Sequence, residues 1–201
     1  MGASRVKVVP FAASVEAAPN VTVVVEVMPS AAAVVKVARD ELEVDYLGGD
    51  TNECDDLVID CIMLGSGESI ISRAGAKVGD YVYVSGEFGL PLAGLKIMQD
   101  GLKANPSFKE KAIRSVLLPS VKPRLAGILK NNASASIDSS DGLALSLYQM
   151  AEASNVSIHL QKAPIANGLE EFSKSNNLRA DDLTLYGGEE YEMVFCVGRE
   201  K

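Results

Sequence analysis

The stretch Ile137-Asp138-Ser139-Ser140-Asp141-Gly142-Leu143 constrains this chain more than any other. It sets two carboxylates and two hydroxyls between the predicted strand Ser134–Ile137 and the helical composition of Leu143–Ala153. A helix start offers unpaired backbone N–H groups and a partial positive charge of about half a unit, both suited to an anion. The carboxylates would repel that anion unless a divalent cation stood between them. Asp and Ser are also the commonest N-cap residues, so taken alone the segment is a capped turn.

It does not stand alone. Gly48-Gly49-Asp50-Thr51 follows the apolar run Val44–Leu47, and Gly187-Gly188-Glu189-Glu190-Tyr191-Glu192 precedes the run Met193–Val197. Each joins a flexible glycine turn to a carboxylate at the end of a predicted strand, where loops of α/β proteins gather their functional groups. Further strands are predicted at Val6–Ala13, Leu57–Leu64, Tyr81–Ser85, Ser134–Ile137 and Val156–Leu160. Helices are predicted at Ala31–Leu42, Leu90–Met98, Phe108–Leu117, Arg124–Leu129, Leu143–Ala153 and Leu169–Ser175. Val21–Val27 is strand-like by its β-branched propensity. Strands alternating with helices predict an α/β fold with mixed sheets. The glycine-rich segment Gly65–Gly79 is the expected junction between two domains.

Several function classes fall away. A net charge of −8 opposes nucleic acid or an anionic membrane as a main partner. Glu26, Pro29 and Lys36 interrupt the one valine-rich stretch, so no apolar run reaches membrane-spanning length. Cys54, Cys61 and Cys196 form no CxxC or metal-ligand spacing, which points to a reduced, cytoplasmic setting. No GxxxxGK[ST] occurs, and Gly65-Ser66-Gly67 lacks the third glycine of a dinucleotide fingerprint. Asp138 to Gly142 does not fit an EF-hand, whose twelfth position would be Gln149. His159 is expected to be structural, and no GxSxG elbow supports a hydrolase triad.

Asp50, Asp138 and Asp141 are the candidate metal ligands. Two carboxylates about 4 Å apart repel by roughly 4 kcal/mol at an effective dielectric of about 20, so a fold that gathers three needs a cation. Mg²⁺ suits, since it takes few carboxylates together with phosphate oxygens. The competing expectation makes Asp50 a turn residue and Asp138 and Asp141 rival helix caps. Arg73, in Ser72-Arg73-Ala74-Gly75-Ala76, could grip a phosphate with its planar fork or could simply be a surface charge. Glu189 and Glu190 could likewise be solvated turn residues, with Tyr191 packed as core.

The order GGDT, RAGAKVGDYVYVSGEFG, IDSSDGL and GGEEYEMVF resembles the thiamine-monophosphate kinase family, in the superfamily of aminoimidazole-ribotide synthetase and selenophosphate synthetase. The resemblance implies a PurM-like two-domain architecture. It also implies Mg²⁺-dependent transfer of the γ-phosphate of ATP to thiamine phosphate, giving thiamine diphosphate. By the same resemblance Gly49 and Asp50 contact ATP, Arg73 holds its phosphates and Ser140 touches it. Asp50, Asp138 and Asp141 bind metal, and Glu189 contacts thiamine phosphate. Residues 1–67 would be the remainder of a nucleotide-binding, dimer-forming domain, and residues 68–201 most of a second domain. The whole protein would be a homodimer.

Departures accompany the likeness. The family's earlier acidic motifs would precede Met1, and its later aromatic residue would lie past the end of the chain, so an inactive or weakly active fragment is expected. Glu190 stands where the family often has Asp, and Ala74 where it usually has Ser. In the family Val21–Leu42 would form one helix, which Pro29 should kink or break. Alternatives are another ATP-dependent synthetase of the superfamily, of selenophosphate or hydrogenase-maturation type, and a non-catalytic nucleotide-binding module.

Overall fold

The computed structural model describes residues 8–10, 21–25, 45–46, 61–65 and 70–199. Its strands in chain order are β1 (Val8–Pro10), β2 (Val21–Val25), β3 (Asp45–Tyr46), β4 (Cys61–Gly65), β5 (Tyr81–Val84), β6 (Ala133–Asp138) and β7 (Met193–Val197). Its helices are α1 (Leu90–Asp100), α2 (Pro106–Leu117), α3 (Leu125–Asn132), α4 (Leu143–Ser154), α5 (Leu169–Ser175) and α6 (Ala180–Tyr186). Among the described residues no helix is long and apolar enough to cross a membrane. The chain forms two compact units.

The smaller unit includes β2, β3 and β4. Its sheet runs β3-β2-β4, with β2 parallel to β3 and antiparallel to β4, Val21 opposite Gly65 and Val25 opposite Cys61. Val21–Val25 is therefore strand, not the start of the helix that the family resemblance implied. Four of its five residues are valine and the fifth is threonine. Their branched side chains restrict χ1 in a helix and suit a pleated surface. The predicted helix Ala31–Leu42 and the glycine turn with Gly49 and Asp50 lie outside the described residues.

The larger unit takes in β1, Ile71–Lys122 and the chain from Ile128 on. Its sheet runs β1-β5-β7-β6: β1 parallel to β5, then β7 antiparallel to both β5 and β6. Val82 and Val84 of β5 and Val194 of β7 are fully buried, and Leu143, Leu147 and Met150 of α4 pack on them. A second core forms where α1, α2, α5 and α6 meet, with Ala93, Phe108, Ala112, Phe172 and Leu183 inside. Phe108 and Phe172 stack with ring centroids 5.1 Å apart. Gly94 permits the closest approach in this core, since a Cβ there would lie 2.0 Å from the Ala112 carbonyl oxygen.

One predicted strand is corrected, and one helix is added. Val156–Leu160 forms no strand. Val156, Ile158 and Leu160 still turn towards the first core, so the alternation in sequence reports packing by an extended segment rather than a ladder. Exposed His159 lies between them. Ala180–Tyr186 is a helix the sequence did not suggest. Part of the expected linker is also held firmly: Ser136 donates to the Ser72 carbonyl at 3.0 Å, and the Gly75 and Ala76 N–H groups both donate to Ser154 Oγ at 3.1 Å.

Candidate functional site

The antiparallel pairing of β6 and β7 sets Asp138 opposite Met193, so the end of one strand lies beside the start of the other. The turn after β6 and the turn before β7 therefore emerge at the same end of the sheet. They are joined by backbone. The Glu189 N–H donates to the Ser140 carbonyl oxygen at 2.7 Å, and Ser139 Oγ donates to the Glu192 carbonyl oxygen at 2.8 Å. Glycine makes this approach possible. A Cβ on Gly188 would meet Ser140 O at 2.7 Å, and one on Gly142, whose φ is +101°, would meet Gly187 O at 3.0 Å.

Within the first turn the side chains divide their work. Ser139 is buried, and Ser146 Oγ, from the first turn of α4, donates to the carbonyls of Asp138 and Gly142 at 2.9 and 3.1 Å. The N-cap of α4 is Gly142, with no side-chain cap. Asp138 and Asp141 are thus not rival caps, as the plainer expectation had it; both are exposed, with Ser140 half-buried between them. Asp138 also accepts a long 3.4 Å contact from the Ser140 N–H. The pair offers hard carboxylate oxygens open to solvent, which is the donor chemistry Mg²⁺ takes when phosphate and water complete its shell. Among the described residues no three His, Cys, Asp or Glu side chains gather to hold a metal. Asp50, the third predicted ligand, and Gly49 lie outside those residues. Arg73 is not brought to this turn: its Nη1 donates at 2.9 Å to Oε1 of Gln149, about two turns into α4.

The second turn carries three glutamates in three environments. Glu189 is exposed with φ +64°, and Tyr191 has φ +51°, both left-handed values that non-glycine residues adopt at a cost of about 1–2 kcal/mol. Tyr191 Oη donates to Glu189 Oε2 at 2.5 Å, and the ring remains 36% exposed rather than joining the core. Between them Glu190 turns inward, where it is only 9% exposed and accepts the Gly89 N–H at 2.5 Å. Burial, reinforced by the charge of Glu192, pushes its carboxyl up to about 8, against the lowering effect of the Gly89 bond. Glu192 accepts a hydrogen bond from the Ser85 hydroxyl and pairs with Lys122 Nζ at 2.7 Å. Lys122 Nζ also donates to the Ser85 carbonyl at 2.7 Å, which ties the β7 turn to the end of β5.

Sequence reasoning missed the inward turn of Glu190 and the Ser85–Glu192–Lys122 cluster. A partial signal existed in the run of three glutamates, too many to share one solvated turn. The identity of the inward one depends on two left-handed residues that no pattern announces.

No family model matches the chain. A thiamine-monophosphate kinase of Nitrosopumilus maritimus is 39% identical over 162 residues, covering 80% of this chain and 51% of the relative. One of Pyrococcus abyssi is 37% identical, covering 77% of this chain and 48% of the relative. The chain thus spans about half the length of the curated relatives it matches. The crystal structure of thiamine monophosphate kinase from Aquifex aeolicus superposes with a TM-score of 0.77 at 26% identity, covering 90% of this chain and 65% of that one. A solved ThiL complexed with AMPPCP and TMP gives the same TM-score and identity, with 62% of its chain covered. A HypE–HypF complex, at 19% identity and a TM-score of 0.59 over 90% of this chain and 62% of that one, shares the fold alone. The chain is therefore a homologue of thiamine-monophosphate kinases with a PurM-like mixed α/β fold, as its four motifs implied.

Proposed function

We propose that this homologue of thiamine-monophosphate kinases supplies the phosphate-facing and substrate-facing turns of an ATP-dependent kinase that converts thiamine phosphate to thiamine diphosphate. One observation carries the proposal: the Glu189–Ser140 backbone bond joins the turn that carries Asp138 and Asp141 to the turn that carries Glu189, at one end of the sheet. The chemistry demands such a neighbourhood. Two phosphate groups, each an anion, must meet, and the acceptor also carries a cationic ring.

In this scheme Asp138 and Asp141 hold Mg²⁺, which supplies the positive charge that lets phosphates lie beside carboxylates. Ser140, between the two aspartates, contacts ATP. Glu189 faces the cationic, amine-bearing part of thiamine phosphate, because a carboxylate gains nothing from the phosphate end. Asp50 and Gly49 are assigned to metal and nucleotide from the family resemblance. Arg73 retains its assignment to nucleotide phosphates only if its bond to Gln149 opens. The protein is further proposed to work as a cytoplasmic homodimer. The hydrogenase-maturation reading has only a fold-level likeness behind it.

Calorimetry with thiamine phosphate and with Mg·ATP tests the scheme. Binding of both is expected, with Glu189→Gln weakening thiamine phosphate while ATP affinity stays within twofold. Equal weakening of both ligands, or no effect on either, would remove Glu189 from the substrate side.

A further inference from the structure

Tyr191 is an exposed aromatic residue held in a backbone conformation that aromatic residues avoid. Strain of this kind persists only where the surroundings enforce it, and it concentrates at binding sites. Here the enforcement is visible on both sides. Glu189, two residues earlier, is left-handed as well and is pinned through its N–H to Ser140. Glu190 between them is drawn inward by the Gly89 N–H. With Glu190 anchored inside, the flanking side chains of Glu189 and Tyr191 are both left outside, and Tyr191 Oη closes on Glu189 Oε2 at 2.5 Å.

A glutamate on an exposed turn would otherwise sample several rotamers, at an ordering cost of about 1–2 kcal/mol when a ligand fixes it. A phenol hydroxyl that donates to one carboxylate oxygen leaves the other directed by the first. We propose that Tyr191 is a positioning residue for the substrate: its hydroxyl fixes the Glu189 carboxylate in the orientation that meets the cationic part of thiamine phosphate. This rests on the assignment of Glu189 under Proposed function. The bond to Glu189, with burial and the charges of Glu189 and Asp138, keeps the Tyr191 phenol above its ordinary range.

A double-mutant cycle tests the role. Thiamine phosphate and Mg·ATP are titrated calorimetrically into the wild type, Tyr191→Phe, Glu189→Gln and the double variant. Circular dichroism confirms that each is folded. Loss of one hydrogen bond to a charged group predicts about tenfold weaker thiamine phosphate binding for Tyr191→Phe, with ATP affinity within twofold. Added to Glu189→Gln, the same change should weaken binding no further, because the carboxylate it orients is gone. Equal effects of Tyr191→Phe in both backgrounds, or equal loss of ATP affinity, would overturn the positioning role. If Glu189→Gln weakens thiamine phosphate and Tyr191→Phe does not, the positioning role alone fails. If Glu189→Gln has no effect, the assignment of Glu189 to the substrate fails and the role of Tyr191 falls with it.

Discussion

The Glu189 N–H donates to the Ser140 carbonyl oxygen at 2.7 Å, and a Cβ on neighbouring Gly188 would lie at the same distance from that oxygen. The two turns can touch only because residue 188 has no side chain. Gly188→Ala should therefore push the turns apart, break the bond and cost about 1–3 kcal/mol of stability, as overpacking does. Thermal unfolding measures the cost, and a loss of amide exchange protection at Glu189 shows where it falls. Full protection at that amide in the alanine variant would mean that the contact is looser than described.

Glu190 makes stability depend on pH in a direction opposite to that of a salt-bridged carboxylate. Its folded-state value, about 8, lies above the usual value of 4.5, so between those limits the folded protein binds the extra proton. Stability should consequently fall as pH rises from about 5 to 8, with a slope from this residue approaching about 1.4 kcal/mol per pH unit in mid-window. Glu190→Gln keeps an acceptor for the Gly89 N–H and removes the ionisation. It should flatten the profile and leave the variant more stable than wild type at pH 8. Denaturant unfolding at pH 5, 6.5 and 8 measures this; parallel profiles for the two proteins would contradict it.

Cys196, near the end of β7, is 1% exposed, and burial pushes its thiol up to about 12. A thiolate is the nucleophile in alkylation, so Cys196 should resist iodoacetamide in the folded protein and react once denaturant is added. Peptide mass mapping of the Cys196 peptide reads the result.

The α1–α2 contact offers a test of the scaffold apart from the site. Gly94→Ala places a methyl 2.0 Å from a backbone carbonyl, which cannot move without shifting α2. Destabilisation of at least about 2 kcal/mol is expected, measured by chemical unfolding. A neutral effect would show that the two helices are not packed this closely.

Most of the larger unit was legible in the sequence, because its elements carry local signals. Met193–Val197 is a compact apolar run, and the predicted helix Phe108–Leu117 lies within α2, whose start the sequence reading placed two residues late. What escaped was set by tertiary context. Val156–Leu160 has the alternation of a strand but packs on the core without joining the sheet. The helix Ala180–Tyr186 spans only two turns, too short for periodicity to declare it. The two acidic, glycine-flanked turns at neighbouring strand ends were legible from residue type and glycine spacing. The bond of Arg73 to Gln149 was not, because it depends on how the segment before β5 lies along α4. The inward turn of Glu190 follows from two left-handed residues for which sequence gives no cue.

The central claim is that Asp138 and Asp141 hold the cation through which nucleotide phosphates are bound. Calorimetric titration of ATP into the protein, with and without Mg²⁺, tests it most directly when repeated on the Asp138→Asn/Asp141→Asn variant. The account predicts binding that requires Mg²⁺ and weakens at least about tenfold in the double variant, the loss expected when charge-assisted contacts are removed. ATP binding that ignores Mg²⁺, or an affinity unchanged by the double substitution, would contradict it.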